Sequence, residues 1–391
     1  MGNTKKPRLL YLHSSAVPPP ADPKTDRFVL LSNDLRGEVL HPLWFHSGEE
    51  CEARVGPGTF PFWQRGSFRY HWCLWTCSGL RLRLRTFWFY IREGLRLHRE
   101  ERIDCIMTYA HMTTALCGVI LSWLTGAKLV VEIVAAPELA YRYEEPTYGL
   151  TARLMKLYSE FCLHITMWSC DRVHLLYPWQ LDHYPLLKNT PKSSFVEFVP
   201  IQGVPRLAPS DPPFILLVGA PWFRKGVDLL IAAFLRLTSD FPDVRLKILG
   251  HFPDRAYLES LAQGCSRIEI LPPTRTNAEA HQIIASASIF ALPSRCEGTA
   301  RVILEAMAAG VPVVSSDVAG AAVMIRHGEN GLLFPTCDIS ALEQHLRTLL
   351  SDPDMRSRFG QRGYEIAQTE FGEDSYRRDF VKMIHDTVDA P

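Results

Sequence analysis

The sequence predicts an α/β protein made of two doubly wound, Rossmann-like domains, and three observations carry that expectation. Short apolar runs of buried-strand type alternate with longer amphipathic segments, the pattern of a parallel sheet crossed by helices. The alternation occurs twice, on either side of a breaker-rich stretch at residues 206–213. A chain of 391 residues is also long for one hydrophobic core and suggests two.

Taken in order, residues 8–13 read as a first strand, and Pro18, Pro19 and Pro20 keep the following loop out of helix. Strand 105–109, helix 113–124 and strand 128–134 come next, with Thr125 and Gly126 as the stop between the last two. Helix 151–169 and strands 173–177 and 194–199 complete the first half. The second half alternates strand 214–218, helix 227–238, strand 245–249, helix 255–263, strand 268–271, helix 278–286 and strand 289–292. A further helix leads into strand 311–315, and a last helix is expected at 373–386. The domain boundaries drawn from this pattern are 1–207, 208–372 and 373–391.

Composition narrows the function. The 42 basic and 42 acidic residues cancel, leaving no global field for nucleic acid. The halves differ modestly: 23 Lys/Arg against 19 Asp/Glu in residues 1–200, about +4, and 19 against 23 thereafter, about −4. Ten cysteines show no zinc-like pairing, since Cys73 and Cys77 lack a second pair or a histidine cluster. With no signal peptide in view, a reduced, cytoplasmic setting is expected. The opening Met1-Gly2 resembles a myristoylation start, but Lys6 stands where Ser or Thr is needed. The most apolar stretch, 112–134, is broken by Gly126, Lys128 and Glu132 and does not read as a membrane span.

Residues 291–316, ALPSRCEGTARVILEAMAAGVPVVSS, carry the clearest chemistry. Glu297 and Glu305 stand eight positions apart across a loop-to-helix junction. Were both helical, they would lie about 80° apart and about 12 Å apart along the axis, too far for one small ligand. With Glu297 in the loop and Glu305 roughly two turns into the helix, both can face the carboxyl end of the strand, where open parallel sheets bind ligands. Thr299 is the expected N-cap, and the free N–H groups behind it favour an anion such as a diphosphate. The alternative is an amphipathic helix with two solvated glutamates. A second element, Gly219-Ala220-Pro221-Trp222-Phe223-Arg224-Lys225-Gly226, follows a buried strand and opens a helix. Its glycine turn admits a phosphate, with Lys225 as a point charge and Arg224 as a fork of donors. A solvated charge pair at a helix start is the alternative there.

The first segment closely resembles the Glu-x7-Glu signature of retaining glycosyltransferases of the GT-B fold, glycosyltransferase family 4. The run from Ala306 to Val314 also matches that family, as do Lys225-Gly226 and the turn at Asn330-Gly331. The resemblance covers residues 195–340 well and the first half in outline. It implies a GT-B architecture, two Rossmann-like doubly wound domains facing a central cleft, with the last helix crossing back to the first domain. It also implies that Glu305 holds the nucleotide ribose and Glu297 lies by the donor sugar as a catalytic-site residue. Arg224 and Lys225 take the diphosphate, and Gly219, Gly298 and Thr299 line the donor site. Retaining enzymes of this fold are thought to use front-face return, the leaving phosphate acting as base, so no protein nucleophile, cofactor or metal is expected. Two positions depart from the family: Ala220 stands where its arginine is usual, and Val323 where a glutamate is usual.

On the acceptor side, Tyr109 stands at the position where the family has a histidine, and His111 follows two residues later. His111 either polarises an acceptor hydroxyl, contacts the donor sugar or caps a helix. Glu138 is a candidate for acceptor binding. Residues 195–204 resemble the family's Pro-Asn-Gly-Val turn, with Gln202 for Asn and Gly203 making the close turn.

Residues 81–102 hold seven arginines against three glutamates. Arg81, Arg83, Arg85, Phe87, Trp88 and Phe89 make a basic surface with aromatic anchors, suited to anionic lipid headgroups. The alternative is a helix packed on the sheet with snorkelling arginines. Neutral net charge and missing RNA motifs argue against nucleic acid.

The expected function is a retaining, metal-independent glycosyltransferase. It would move a sugar from a UDP- or GDP-sugar to a glycan or lipid-linked acceptor in cell-envelope polysaccharide or glycolipid synthesis. Its place would be the cytoplasm, peripheral on the inner face of the cytoplasmic membrane. Two rivals stay open: a catalytically silent GT-B subunit partnering another glycosyltransferase, and a GT-B sugar-nucleotide epimerase.

Overall fold

The computed structural model describes residues 6–13, 26–44, 62–75, 79–110, 112–133, 150–177, 180, 190–196 and 203–391. They fall into two compact units: the described residues up to 196 together with Glu373–Pro391, and residues 203–372.

The first unit contains β1 (Arg8–Leu12), α1 (Asp26–Leu31), β2 (Arg36–Trp44), β3 (Phe62–Arg65) and β4 (Phe68–Trp75). It continues with α2 (Gly79–Glu100), β5 (Cys105–Tyr109), α3 (Thr113–Thr125), β6 (Lys128–Ile133), α4 (Leu150–Ser169), β7 (Arg172–Leu175) and β8 (Lys192–Ser194). The sheet order is β3-β4-β2-β1-β5-β6-β7-β8, parallel except for β3 against β4. Helices α2, α3 and α4 cover one face around Leu10, Ile106 and Leu129. Phe28 and Leu31 of α1, with Tyr376, Phe380 and Ile384 of the terminal helix (Glu373–Val388), cover the other.

β2 and β4 lie where hydropathy predicts no strand, and the reason is a buried charge cluster. Glu38 and Arg69 are cross-strand partners. Glu38 accepts from Arg8 Nη2 at 2.8 Å and Arg69 Nε at 2.9 Å, and meets His71 Nε2 at 2.7 Å. Burial works to raise the Glu38 carboxyl, but hydrogen bonds from His71, Arg69 and Arg8 outweigh it and hold the group at about 2. Charges that satisfy one another across strands erase the apolar alternation that marks a strand. The strand expected at 194–199 is also shifted, ending at Ser194.

The second unit holds β9 (Phe214–Val218), α5 (Trp222–Lys225), α6 (Val227–Leu237), β10 (Arg245–Leu249), α7 (Arg255–Leu261), β11 (Ile268–Leu271) and α8 (Asn277–Ala285). Then come β12 (Ile289–Leu292), α9 (Arg301–Ala308), β13 (Val313–Ser316), α10 (Ala319–Met324), β14 (Gly331–Phe334), α11 (Ile339–Ser351) and α12 (Pro353–Thr369). β9, β10, β11 and β12 have the bounds predicted from sequence; β9 and β12, buried along almost their whole length, read as continuous apolar runs. β13 starts two residues later than expected, after Pro312. The order β11-β10-β9-β12-β13-β14 is fully parallel and doubly wound. Its direction reverses between β9 and β12, and ligands of such sheets bind at the carboxyl ends of the strands at that point.

Candidate active site

The loops leaving β9 and β12 build the candidate site. Gly219 follows directly on β9, and its φ of 131° favours glycine. A Cβ there would stand 2.8 Å from Lys225 Cε, so the absent side chain lets Lys225 fold back across the loop. α5 ends at Gly226 with φ 69°. A Cβ on Gly226 would stand 2.0 Å from the Pro293 carbonyl oxygen. The two loops therefore touch backbone to backbone, and Arg295 N donates to Arg224 O at 2.8 Å.

This contact brings Lys225 to Glu297. Lys225 Nζ donates to Glu297 Oε1 at 2.6 Å, and Ser294 Oγ donates to the same oxygen at 2.6 Å. The two charged residues are only 9% and 8% exposed, so each depends on the other for its burial. Beneath them, Ser316 Oγ donates to Ser294 O and Ser315 Oγ donates to Leu292 O, tying the loop to the end of β13. Arg295 turns away and grips Asp228 with two bonds of 2.9 and 2.6 Å while lying over Phe223. Burial acts against the Arg295 charge, but Asp228 more than offsets it and holds the guanidinium above its ordinary value. Arg224 Nη2 donates to Ala220 O at 3.2 Å, which sets Arg224 beside the position where the family arginine is absent.

The Glu-x7-Glu segment differs from expectation in two details. Thr299 is not the N-cap: α9 begins at Arg301 behind Ala300, with no side-chain cap bond. Arg301 N instead donates to Thr299 O at 2.8 Å, a tight turn just before the helix. Thr299 Oγ1 is buried with no hydrogen-bond partner among the described residues. Glu305 is one turn into α9, not two, because the helix starts late. Its carboxylate faces His281 of α8, Oε2 to Nε2 4.0 Å. His281 escaped the sequence reading, since a single histidine in a polar helix gives no spacing signal. Gly298 packs through its carbonyl against Gly320, where a Cβ would approach to 1.9 Å. Asn330 serves the turn after α10: it accepts from Arg326 N at 2.7 Å and donates to Met324 O at 3.0 Å.

In the first unit the strand order reverses between β1 and β5. Tyr109 closes β5 there, and its ring lies 5.4 Å from that of His13. His13 in turn lies 4.4 Å from His41. Neither histidine was singled out from sequence, because they become neighbours only through strand pairing. His111 and Glu138 lie outside the described residues. The sheet register sets Tyr109 beside Glu132 and Glu132 beside His174. Glu132 accepts from Tyr11 Oη at 2.9 Å and meets Arg27 Nη1 at 3.5 Å. Burial pushes the Tyr11 hydroxyl well above its ordinary value, so it stays a donor to that carboxylate.

On α2, Arg81, Arg83, Arg85 and Trp88 are exposed, but Phe87 and Phe89 pack against the core. Phe87 and Phe89, two positions and so about 200° apart around the helix, are each half-buried at the edge of the core, while exposed Leu84 stands beside Trp88. Among the described residues no helix is long and apolar enough to cross a membrane.

The chain resembles known proteins in part of its sequence and in its fold. Residues 204–366, which include Lys225, Glu297 and Glu305, match the family described as Glycosyl transferases group 1. An exopolysaccharide phosphotransferase of Streptomyces coelicolor is 36% identical over 169 residues, 42% of this chain and 18% of that protein. The lipopolysaccharide core biosynthesis glycosyltransferase LpsE of Rhizobium meliloti is 28% identical over 176 residues, 45% of this chain and 51% of its own length. The chain thus spans about half or less of the length of these relatives. Sucrose-phosphate synthase of Thermosynechococcus elongatus superposes with a TM-score of 0.78 at 16% identity, over 99% of this chain and 100% of that one. The Anabaena protein HepE, in complex with UDP and glucose, superposes at 0.67 and 18% identity, over 96% and 98%. The structural likenesses show the GT-B fold, and the family match in the second unit supports a glycosyltransferase.

Proposed function

We propose that the protein is a retaining glycosyltransferase of family 4 type. It moves a sugar from a UDP- or GDP-sugar to a glycan or lipid-linked acceptor in cell-envelope polysaccharide or glycolipid synthesis. The observation that carries this reading is the Lys225–Glu297 pair at the switch point of the second sheet, within the segment that matches the family. HepE, of the same fold, is seen with UDP and glucose.

In this reading Lys225 and Arg224 hold the donor diphosphate, which enters across Gly219 and Gly298. Thr299 supplies its unpartnered hydroxyl to the same group. Glu305 holds the ribose, and Glu297 accepts from a sugar hydroxyl once Lys225 turns to the phosphate. The bond between the anomeric carbon and the diphosphate oxygen breaks, its electron pair leaving with the phosphate. The acceptor hydroxyl forms the new bond on the same face, and its proton passes to the departing phosphate. Lys225 and Arg224 stabilise the charge that develops there, a large contribution in a dry site. The reaction as proposed uses no metal. Tyr109, His111 and Glu138 belong to the acceptor side, and α2 leans on the cytoplasmic membrane surface.

The test is transfer from UDP- and GDP-sugars to membrane-extracted acceptors, with the anomeric configuration of the product read by NMR. A product that keeps the donor's configuration supports the reading; an inverted product rejects the retaining assignment. Donor binding with neither transfer nor donor hydrolysis would favour the silent subunit, for which Ala220 and Val323 speak.

A further inference from the structure

Helix α4 is apolar on both sides. Ser159, Cys162, Leu163, Thr166 and Met167 are buried, Leu163 and Met167 in the core formed with the sheet. On the opposite side Leu154, Leu157, Phe161 and Trp168 are exposed, and with exposed His164 they repeat at spacings of three and four. That periodicity makes one continuous outward stripe. Trp168 is 83% exposed. The neighbouring helix α3 adds exposed Trp123 and Leu124 at its end, and α2 adds Leu84 and Trp88. Of the eleven exposed large hydrophobics among the described residues, eight lie on these three helices: four on α4, two on α3 and two on α2. The three pack side by side on one face of the first sheet. A concentration of this kind marks an interaction surface rather than ordinary scatter.

The charge beside it selects the partner. α2 carries six arginines, Arg81, Arg83, Arg85, Arg92, Arg96 and Arg99, against Glu93 and Glu100, a net of about +4 (6 − 2). Arg81, Arg85, Arg92, Arg96 and Arg99 are exposed on the side that carries Leu84 and Trp88. A second copy docked by a two-fold axis through α2 would set this arginine stripe against itself. A bilayer with anionic headgroups complements it, and three exposed tryptophans suit the headgroup level, where an amphipathic ring has one end wet.

We infer that the outer surface of α2, α3 and α4 is a docking face for an anionic lipid bilayer, with the α4 stripe as its apolar anchor and the α2 arginines as its electrostatic one. The face extends beyond the α2 contact of the proposed function. It stands whether or not the second unit transfers sugar, so vesicle binding and donor binding are read separately.

The experiment floats the full chain with vesicles of phosphatidylglycerol and phosphatidylcholine in equal parts, and with vesicles of phosphatidylcholine alone. The wild type is expected to float with the anionic vesicles, with a blue shift of tryptophan emission. The combined variant Leu157→Ser, Phe161→Ser, Trp168→Ser loses at least tenfold in partition, while its melting temperature and donor-induced thermal shift match wild type. Arg81→Ala, Arg92→Ala, Arg99→Ala together cost on the order of a hundredfold on anionic vesicles and little on neutral ones. The inference is overturned if wild type stays unbound on anionic vesicles, or if the α4 variant floats as well as wild type. It is also overturned if sedimentation shows a dimer that the α4 variant dissociates while neither form binds vesicles.

Discussion

Lys225 and Glu297, 72 positions apart in the chain, meet at 2.6 Å because Gly226 lets the loop after β9 rest on the carbonyl of Pro293. Neither charge is buried by its own loop alone. The pair exists because two parallel strands that are neighbours in the sheet end side by side. It places a cation and a carboxylate, each able to take up a new partner, at the point where a doubly wound sheet receives its ligand.

Removing one member leaves the other buried and uncompensated. Lys225→Met and Glu297→Gln are each expected to destabilise the protein by about 3 kcal/mol. The double variant should be less destabilised than the sum, with a coupling of about 1–3 kcal/mol in a double-mutant cycle. Denaturant unfolding measures all three; strict additivity would mean the pair does not act as one.

Gly226→Ala tests the loop contact itself. The new Cβ would fall 2.0 Å from Pro293 O at a φ of 69°, and neither backbone can yield cheaply. A loss of about 2 kcal/mol or more is expected, along with weaker donor binding. A variant with wild-type melting and donor affinity would show that the loops need not touch.

Thr299→Val separates a binding role from a folding one. Because Oγ1 has no partner among the described residues, replacing it with a methyl should leave stability unchanged or slightly raised. Donor affinity should fall by roughly five- to tenfold if the hydroxyl bonds a donor oxygen, a cost of about 1–1.5 kcal/mol. Equal donor affinity in the two proteins would remove Thr299 from the site.

The Glu38 cluster predicts a pH dependence. Its carboxyl is held at about 2, below the ordinary value of 4.5. Stability from this group is therefore complete above the unfolded value and is lost as pH falls from 4.5 toward 2. Glu38→Gln should melt lower than wild type at neutral pH and lose less on acidification through that window. Parallel melting curves for the two proteins across the window would assign the acid loss elsewhere.

The second unit was largely legible in the sequence, as were β1 and the run from β5 to β7 in the first; α1 and the strands β2 to β4 were not. Phe214–Val218 and Ile289–Leu292 are apolar throughout, because strands covered on both faces leave no polar position to blur the signal. Arg36–Trp44 and Phe68–Trp75 carry Glu38, Arg69 and His71 inside the sheet, and only pairing across strands reveals that those charges belong there. The site follows the same division. Glu297, Glu305, Lys225 and Gly219 stand in local motifs that a linear reading finds. His281 beside Glu305, and His13 beside His41 and Tyr109, arise from helix and strand packing that no spacing encodes. The half-burial of Phe87 and Phe89 likewise comes from the packing of α2 against its neighbours.

The most direct measurement is a thermal-shift titration of wild type and Glu305→Ala with UDP-, GDP-, ADP- and TDP-sugars. At a hundred times its dissociation constant, a ligand that binds only the folded state adds about 2.7 kcal/mol of stability. The account predicts a shift with one nucleotide family in wild type and its loss, or a weakening of tenfold or more, in Glu305→Ala. No shift with any of the four, or an equal shift in both proteins, would contradict a donor site built on Lys225, Glu297 and Glu305.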